Sequence, residues 1–194
     1  MNSETLQDLF VEQIRDIYDA EKQLVKALPK MAKAANSEDL ANALRNHLEE
    51  TQNQVTRLEE VFRSVGLPPK GKSCKGMKGL IEEGNETVQA EEDERLMDLA
   101  IIAAAQRVEH YEISAYGTAK AIAEHLGNQQ AVRLLEETEE EESAADAKLS
   151  EIAAMIYQEE EEPEEEAAET EERKPATMAR GSARSASSGR GGSR

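Results

Sequence analysis

The chain has 194 residues, which is long enough for one domain with a sizeable core and an appended segment. Charged residues make up 33% of it and aromatic residues 3%, and the net charge is −18. A chain this acidic repels phosphate, so its folded part is not expected to bind nucleic acid. Ala, Leu, Glu and Lys are abundant, which favours helix over sheet and predicts an all-α fold.

The start of the sequence, its apolar stretches and its cysteine content bear on the cellular compartment of the protein. No apolar run follows a basic start, and no stretch approaches the roughly 20 apolar residues of a membrane span. Cys74 is the one cysteine, so it cannot form an internal disulfide. These features predict a cytoplasmic protein with no membrane partner. Cys74 stands among lysines that could lower its pKa, and we expect it to be a surface thiol.

Hydrophobic residues recur at helical spacing through four long segments. The first is expected to begin at Ser3 as N-cap and to kink at Pro29, and the second to stop at Gly66. A Gly-rich stretch that separates the second from the third holds one short helix, roughly Met77 to Glu91. A connection this long lets the third long helix run parallel to the second, as a crossover does. The four long helices are predicted over about 4–35, 38–65, 94–124 and 129–157.

The composition changes abruptly near Gln158. Residues 159–172 hold ten glutamates and no base, and residues 173–194 hold six bases and no acid. Such segments cannot bury enough apolar surface to order themselves. We therefore predict a helical domain over 1–157 and a disordered tail, acidic then basic, over 158–194. A weak contact of the basic end with nucleic acid is the less favoured interpretation of the tail.

Each long helix carries charged or imidazole side chains near the middle of its apolar stripe. A carboxylate in a low-dielectric core costs several kcal/mol unless something compensates it. Two divalent cations shared by all four helices would offset both the burial and the mutual repulsion, and imidazole with carboxylates suits iron, manganese or zinc. The predicted metal ligands are Glu21 on the first helix, His47 and Glu50 on the second, Glu109 and Glu112 on the third, and Glu142 and Asp146 on the fourth.

Each of these residues also has a simpler interpretation. Glu21 could lie at the boundary of the core, and His47 could be a core histidine with its hydrogen bonds satisfied. Glu112 could pair with a base, and Glu142 could be one more exposed acid in the run Glu139–Glu142, whose other members are expected to face water. The coincidence of four mid-helix interruptions on four helices favours the metal site.

Four short motifs carry a family resemblance. They are Asp16-Ile-Tyr-Asp-Ala-Glu-Lys-Gln-Leu24, His47-Leu-Glu-Glu-Thr51 with Arg57, Glu109-His-Tyr-Glu112, and Glu141-Glu142 with Asp146. With their order and the long crossover, the chain resembles the YciE/YciF family of bacterial ferritin-like proteins over residues 4–156. The resemblance implies an antiparallel ferritin-like four-helix bundle, a di-iron centre, a homodimer and a role in bacterial stress.

The motifs also depart from the usual ferritin-like pattern of Glu-x-x-His on two helices. The second helix has the inverted pair His47-x-x-Glu50, and the fourth has Ala145 three residues after Glu142. The predicted site is therefore rich in carboxylates and poor in histidine. Glu21 and Glu112 are assigned as terminal ligands and Glu50 and Glu142 as bridges.

Two functions remain open at this stage. One is a metal-binding protein, most simply of two iron ions, that could oxidise Fe(II) with oxygen or peroxide. The alternative is a non-enzymatic dimeric stress or scaffold protein with a structural or vestigial metal site. Neither needs a small organic cofactor. Tyr18 and Tyr116 are expected to donate hydrogen bonds to the ligands.

Overall fold

A computed structural model describes residues 5–90 and 93–172, with side chains described within 5–89 and 93–158. The described chain is helical, with no strand. It divides into two units, Met1–Gln158 and Glu159–Arg194. Five helices follow one another: α1 Leu6–Ala34, α2 Glu38–Ser64, α3 Lys75–Ala90, α4 Glu94–His125 and α5 Gln129–Glu172.

Local signals determine where most helices begin and end. The N-cap of α1 is Thr5, which forms a capping box with Asp8. The predicted cap, Ser3, lies outside the described residues. Ser37 caps α2 and Asp93 caps α4, because their side chains accept hydrogen bonds from the first-turn amides. Pro29 lies inside α1, which continues to Ala34 as predicted.

The last helix differs most from the sequence prediction. α5 extends to Glu172, beyond the end expected near Tyr157. The added stretch is rich in Glu and Ala, which are strong helix formers, and it contains no glycine. The predicted disordered tail therefore overlaps this helix over 159–172. Residues 173–194 lie outside the described residues, and the disorder of that part stays a prediction.

Two apolar clusters fill the interior of the first unit. The first joins the later half of α1 to the early half of α2, and the second joins the early half of α1 to the later half of α2. These two helices are thus antiparallel neighbours. Representative members of the first cluster are Leu24, Leu44, Ile101, Val108 and Leu149, and of the second Phe10, Phe62, Tyr116, Ile122 and Leu135.

The same two clusters give the directions of α4 and α5. α4 enters the first cluster early and the second late, as α2 does, so α4 runs parallel to α2. α5 has the opposite order and runs antiparallel to both. α3 lies in the segment that connects α2 to α4. No helix in 5–90 or 93–172 is apolar over enough length to cross a lipid bilayer.

The start of α3 is anchored to α1 and α4 through Cys74. The backbone N–H of Cys74 donates to Asp19, and its Sγ lies 2.9 Å from the Tyr111 hydroxyl, which donates to Asp16. Gly76 is needed here because a Cβ would come within 2.8 Å of the Tyr111 ring. The prediction of a surface thiol with a lowered pKa is wrong. Cys74 is buried, and burial raises its pKa.

Candidate metal centre

Five of the seven predicted ligands lie where the two apolar clusters meet. On α2, α4 and α5 the polar residues separate members of the first cluster from members of the second, and on α1 Glu21 lies just inside the first cluster, next to Ala20. At most 5% of the surface of any of these five residues is exposed. The five are Glu21 on α1, His47 on α2, Glu109 and Glu112 on α4, and Glu142 on α5.

Four of these side chains converge closely. His47, Glu109, Glu112 and Glu142 each offer a ligand atom, and those atoms all lie within 4.8 Å of one another. The Nε2 atom of His47 is 3.4 Å from Glu109 Oε2 and 3.6 Å from Glu142 Oε2. The structure therefore brings the polar groups of α2, α4 and α5 to one place.

Glu21 lies beside this group and has a partner of its own. The Tyr116 hydroxyl donates a hydrogen bond to Glu21 Oε1, as expected from the spacing. The other carboxylate oxygen, Oε2, is buried without a hydrogen-bond partner. Burial raises the pKa of Glu21 to about 8, and the Glu142 carboxylate adds to the effect. Tyr18, the other predicted donor, bonds to Glu59 instead.

The pocket lacks hydrogen-bond donors. Six buried carboxylate oxygens in it have no hydrogen-bond partner: Oε2 of Glu21, Oε2 of Glu109, and both oxygens of Glu112 and Glu142. Native interiors pair nearly all buried polar groups, so such a concentration needs an explanation. A bound cation or added protons would supply it.

The pKa values of the pocket residues reflect this shortage of hydrogen-bond donors. Burial raises the pKa values of Glu109 and Glu112 well above the usual range for a carboxyl, and raises that of Glu142 as well. Burial opposes the charge on His47, but the carboxylates of Glu109, Glu50 and Glu142 raise its pKa to about 10. Without a metal the acids are thus driven to hold protons.

The two remaining predicted ligands lie elsewhere. Half of the Glu50 side chain is exposed, and its Oε2 is 3.4 Å from Nδ1 of His47, on the side away from the pocket. Asp146 accepts a hydrogen bond from Gln106 and lies 3.5 Å from His110 Nε2. Its position one turn after Glu142 rotates it about 40° round the helix, which directs it towards α4 rather than into the pocket.

The polar group around Arg57 was not predicted from the sequence to belong to the site. Arg57 donates to both oxygens of Glu141 at 2.8 Å, and also to Thr138 and Glu137. The expectation that Glu141 faces water is therefore wrong. Gln54 is fully buried, and its amide nitrogen donates to Glu141 at 3.0 Å. The signal was available, because Gln54 and Arg57 both follow His47 along the inner side of α2.

A cavity of about 590 Å³ lies between α2 and α5 beside the pocket. His47 and Glu109 form part of its wall, together with Ala145, and exposed Lys148 and Met155 lie at its outer side. The small side chain at 145, where the usual pattern would place histidine, leaves this space open. The cavity connects the buried group with the surface.

Comparison with known proteins places the chain in a family. The family described as Domain of unknown function (DUF892) matches residues 5–162. The chain belongs to the DUF892 family. This DUF892 chain is 48% identical to Protein YciF of Escherichia coli over 153 residues, which is 78% of this chain and 92% of YciF. The resemblance to the YciF family is confirmed.

Solved structures agree with this placement of the DUF892 chain. The E. coli stress protein YciF superposes with a TM-score of 0.78 at 46% identity, over 80% of this chain and 99% of that one. YcfI from Rhodopseudomonas palustris gives 0.75 at 48% identity, over 76% and 94%. A protein from Xanthomonas campestris gives 0.63 at 20% identity, which supports the fold alone.

The donor set fits a divalent metal. Carboxylate oxygens suit manganese and iron, and one imidazole is compatible with iron, manganese or zinc. The ligand atoms come from three helices that are held by apolar packing on both sides of the pocket. Chemically, the arrangement can bind cations or hold several protons.

Proposed function

We propose that this protein binds a pair of divalent metal ions in the pocket between α1, α2, α4 and α5. Iron is the first choice, with manganese and zinc as alternatives. The observation that carries the proposal is the set of six buried carboxylate oxygens without hydrogen-bond donors. Two divalent cations would neutralise four carboxylates and supply the missing partners at once.

The proposed ligands are the five buried residues. His47, Glu109, Glu112 and Glu142 surround one point, and Glu21, oriented by Tyr116, extends the pocket towards α1. Glu50 borders His47 at the surface side. Glu142 is proposed as a bridging ligand and Glu21 and Glu112 as terminal ones, and the bridging role predicted for Glu50 is dropped because Glu50 lies on the side of His47 away from the pocket. Asp146 is left out because it is engaged with Gln106 and His110.

The proposed architecture is a ferritin-like four-helix bundle of α1, α2, α4 and α5, with α3 on the crossover from α2 to α4. The directions of the helices in the two core clusters support it. In bundles of this type, carboxylates from four helices hold paired metals in the core. We also propose a homodimer that works in the cytoplasm.

The proposed biological setting is bacterial stress, since the E. coli relative is described as a stress protein. A bound iron pair would supply oxidation of Fe(II) by oxygen or peroxide. The protein's own residues would bind and orient the ions, and the apolar clusters would keep bulk water away from them. The cavity between α2 and α5 would give small reactants access.

Metal titration of the purified full chain tests the binding. Under anaerobic conditions, the wild type should take up about two Fe(II) per chain, as paired carboxylate sites do. The double variant Glu109→Gln, Glu142→Gln should lose this uptake. Asp146→Asn is the matched control on α5 and should keep it. Equal metal content in the double variant and the wild type would contradict the site.

A non-enzymatic role is the second candidate. It is supported by the R. palustris relative, which is described as a candidate structural protein. In that case the ions would only stabilise the bundle. Oxygen or peroxide consumption during Fe(II) addition separates the two functions. Stoichiometric uptake without consumption would support the structural role, and consumption beyond one cycle would support oxidation.

A further inference from the structure

Gln54 has an unusual environment that the five predicted ligands do not explain. Its side chain is fully buried, and its amide oxygen Oε1 has no hydrogen-bond partner. A buried amide oxygen without a donor destabilises the folded state, because it has lost its hydrogen bonds to water and gained none. The groups around the pocket are mainly acceptors themselves, so they cannot satisfy it. A cation is the partner that such an oxygen lacks.

The amide is held in a fixed orientation from outside the pocket. Gln54 Nε2 donates to Glu141 Oε2, and both oxygens of Glu141 are bound by Arg57. A carboxylate held by Arg57 can only accept, so it selects the amide nitrogen and turns the oxygen away from itself. This layered arrangement is typical of the partners that orient metal ligands.

The position of Gln54 on α2 places it at the far end of the pocket from His47. Seven residues separate them, which is two turns on the same face and about 10 Å along the axis. Gln54 Nε2 bonds to Glu141, the neighbour of Glu142 on α5, so the amide lies beside the α5 wall of the pocket.

We propose that the Gln54 amide oxygen is a sixth metal ligand, serving the ion at the end of the pocket away from His47. This inference rests on the proposed metal binding and deepens it. An amide oxygen adds a neutral, hard donor to the carboxylates, and such donors favour manganese or iron over softer-binding zinc. Gln54 thereby contributes to the choice of metal as well as to its retention.

Three variants of the full chain, titrated with Mn(II) and with Zn(II), test the assignment. In Gln54→Leu the affinity for the second Mn(II) should fall about 10- to 100-fold, the loss usual for ligand-shell changes. In Gln54→His a nitrogen donor replaces the oxygen, so both ions are kept and the preference for Zn(II) over Mn(II) should rise about tenfold. Thr51→Val is the matched control, since the Thr51 hydroxyl already donates to the His47 carbonyl, and its titration should match the wild type.

The Tm of the metal-free variants distinguishes a metal ligand from a residue that only supports the fold, because loss of structural support would lower this Tm. Gln54→Leu should leave the metal-free Tm unchanged or raise it, because it removes an unsatisfied oxygen. Unchanged Mn(II) binding in Gln54→Leu, or a loss of binding matched by a lower metal-free Tm, would overturn the assignment. A wild type that binds neither metal would instead overturn the proposed function. The two failures are thus distinguishable.

Discussion

Glu141 and Glu142 are neighbours on α5, yet the protein treats their charges in opposite ways. Glu141 is only partly buried and is held by Arg57 and Gln54. Burial raises its pKa, but those hydrogen bonds outweigh the effect and leave its pKa lowered. Glu142 is completely buried, neither of its oxygens has a hydrogen-bond partner, and its pKa is raised.

The difference distinguishes acids whose charge is paired within the protein from acids that have no hydrogen-bond donor in the protein. Around Arg57 the chain supplies its own counter-charge, so that region is complete as it stands. In the pocket four carboxylates face one another with His47 as the main internal cation. A cluster of acids is not by itself evidence of a metal site. These two regions lie on the same helices, but only the region around Arg57 contains hydrogen-bond donors for its acids. The comparison therefore indicates which acids an external cation would serve.

Metal binding should have the largest effect on the stability of the folded state, and it should act through the pocket and not through the region around Arg57. At a metal concentration 1,000 times the dissociation constant, binding stabilises the folded state by about 4 kcal/mol. For a body of this size that corresponds to a rise in Tm of about 10 °C. Calorimetry with and without Mn(II) measures it. The rise should vanish in Glu109→Gln, Glu142→Gln and persist in Arg57→Lys; a rise retained in the pocket variant would remove the distinction.

Substitution of the two neighbours should change metal-free stability in opposite directions at pH 8. Glu141→Gln removes one charge of a partly buried pair and should lower the free energy of unfolding by about 2 kcal/mol. Glu142→Gln replaces a buried carboxyl without hydrogen-bond partners by a side chain that carries no charge, and should raise it by about 1 kcal/mol. Urea unfolding of both variants provides the measurement. A change of the same sign in both would break the comparison.

The pocket should also make metal-free stability depend on pH. Burial raises the pKa of Glu21 in the folded state to about 8 from its ordinary value of 4.5. The folded state therefore holds the proton more tightly, and this stabilisation is complete below pH 4.5 and lost as the pH rises through 8. Relative to Glu21→Gln, the wild type should lose about 1 kcal/mol between pH 7 and pH 8. Tm profiles of both proteins measure it, and parallel profiles would contradict it.

The smallest effect is expected at Asp146, which the sequence grouped with the pocket. Its carboxylate accepts from Gln106 at 3.0 Å, and an asparagine oxygen can accept the same hydrogen bond. Asp146→Asn should change the free energy of unfolding by less than about 0.5 kcal/mol, as surface changes usually do. Metal stoichiometry should also be unchanged. A loss of metal in this variant would return Asp146 to the ligand set.

Much of the candidate site could be predicted because helices convert spacing into direction. Glu21, Glu109 and Glu142 interrupt apolar stripes, and residues on one stripe must face the core together. Glu50 and Asp146 were less predictable because each lies 40–60° from a true inward position, where helix rotation decides between pocket and surface. The partner of Glu141 could not be read from the chain, since Arg57 is more than 80 residues away from it.

The sequence by itself determined the helical class, the approximate helix bounds and the family, because composition, caps and periodic apolar residues act locally. It also placed acidic or imidazole side chains on the apolar stripe of each long helix. Only the tertiary structure decided which acids meet, that Cys74 is buried against Tyr111, and that the Gln54 amide oxygen is buried without a hydrogen-bond partner. Those outcomes depend on contacts between helices that are distant in the sequence. A helix rotation of about 50°, half the angle between successive residues, is enough to turn a ligand towards the surface.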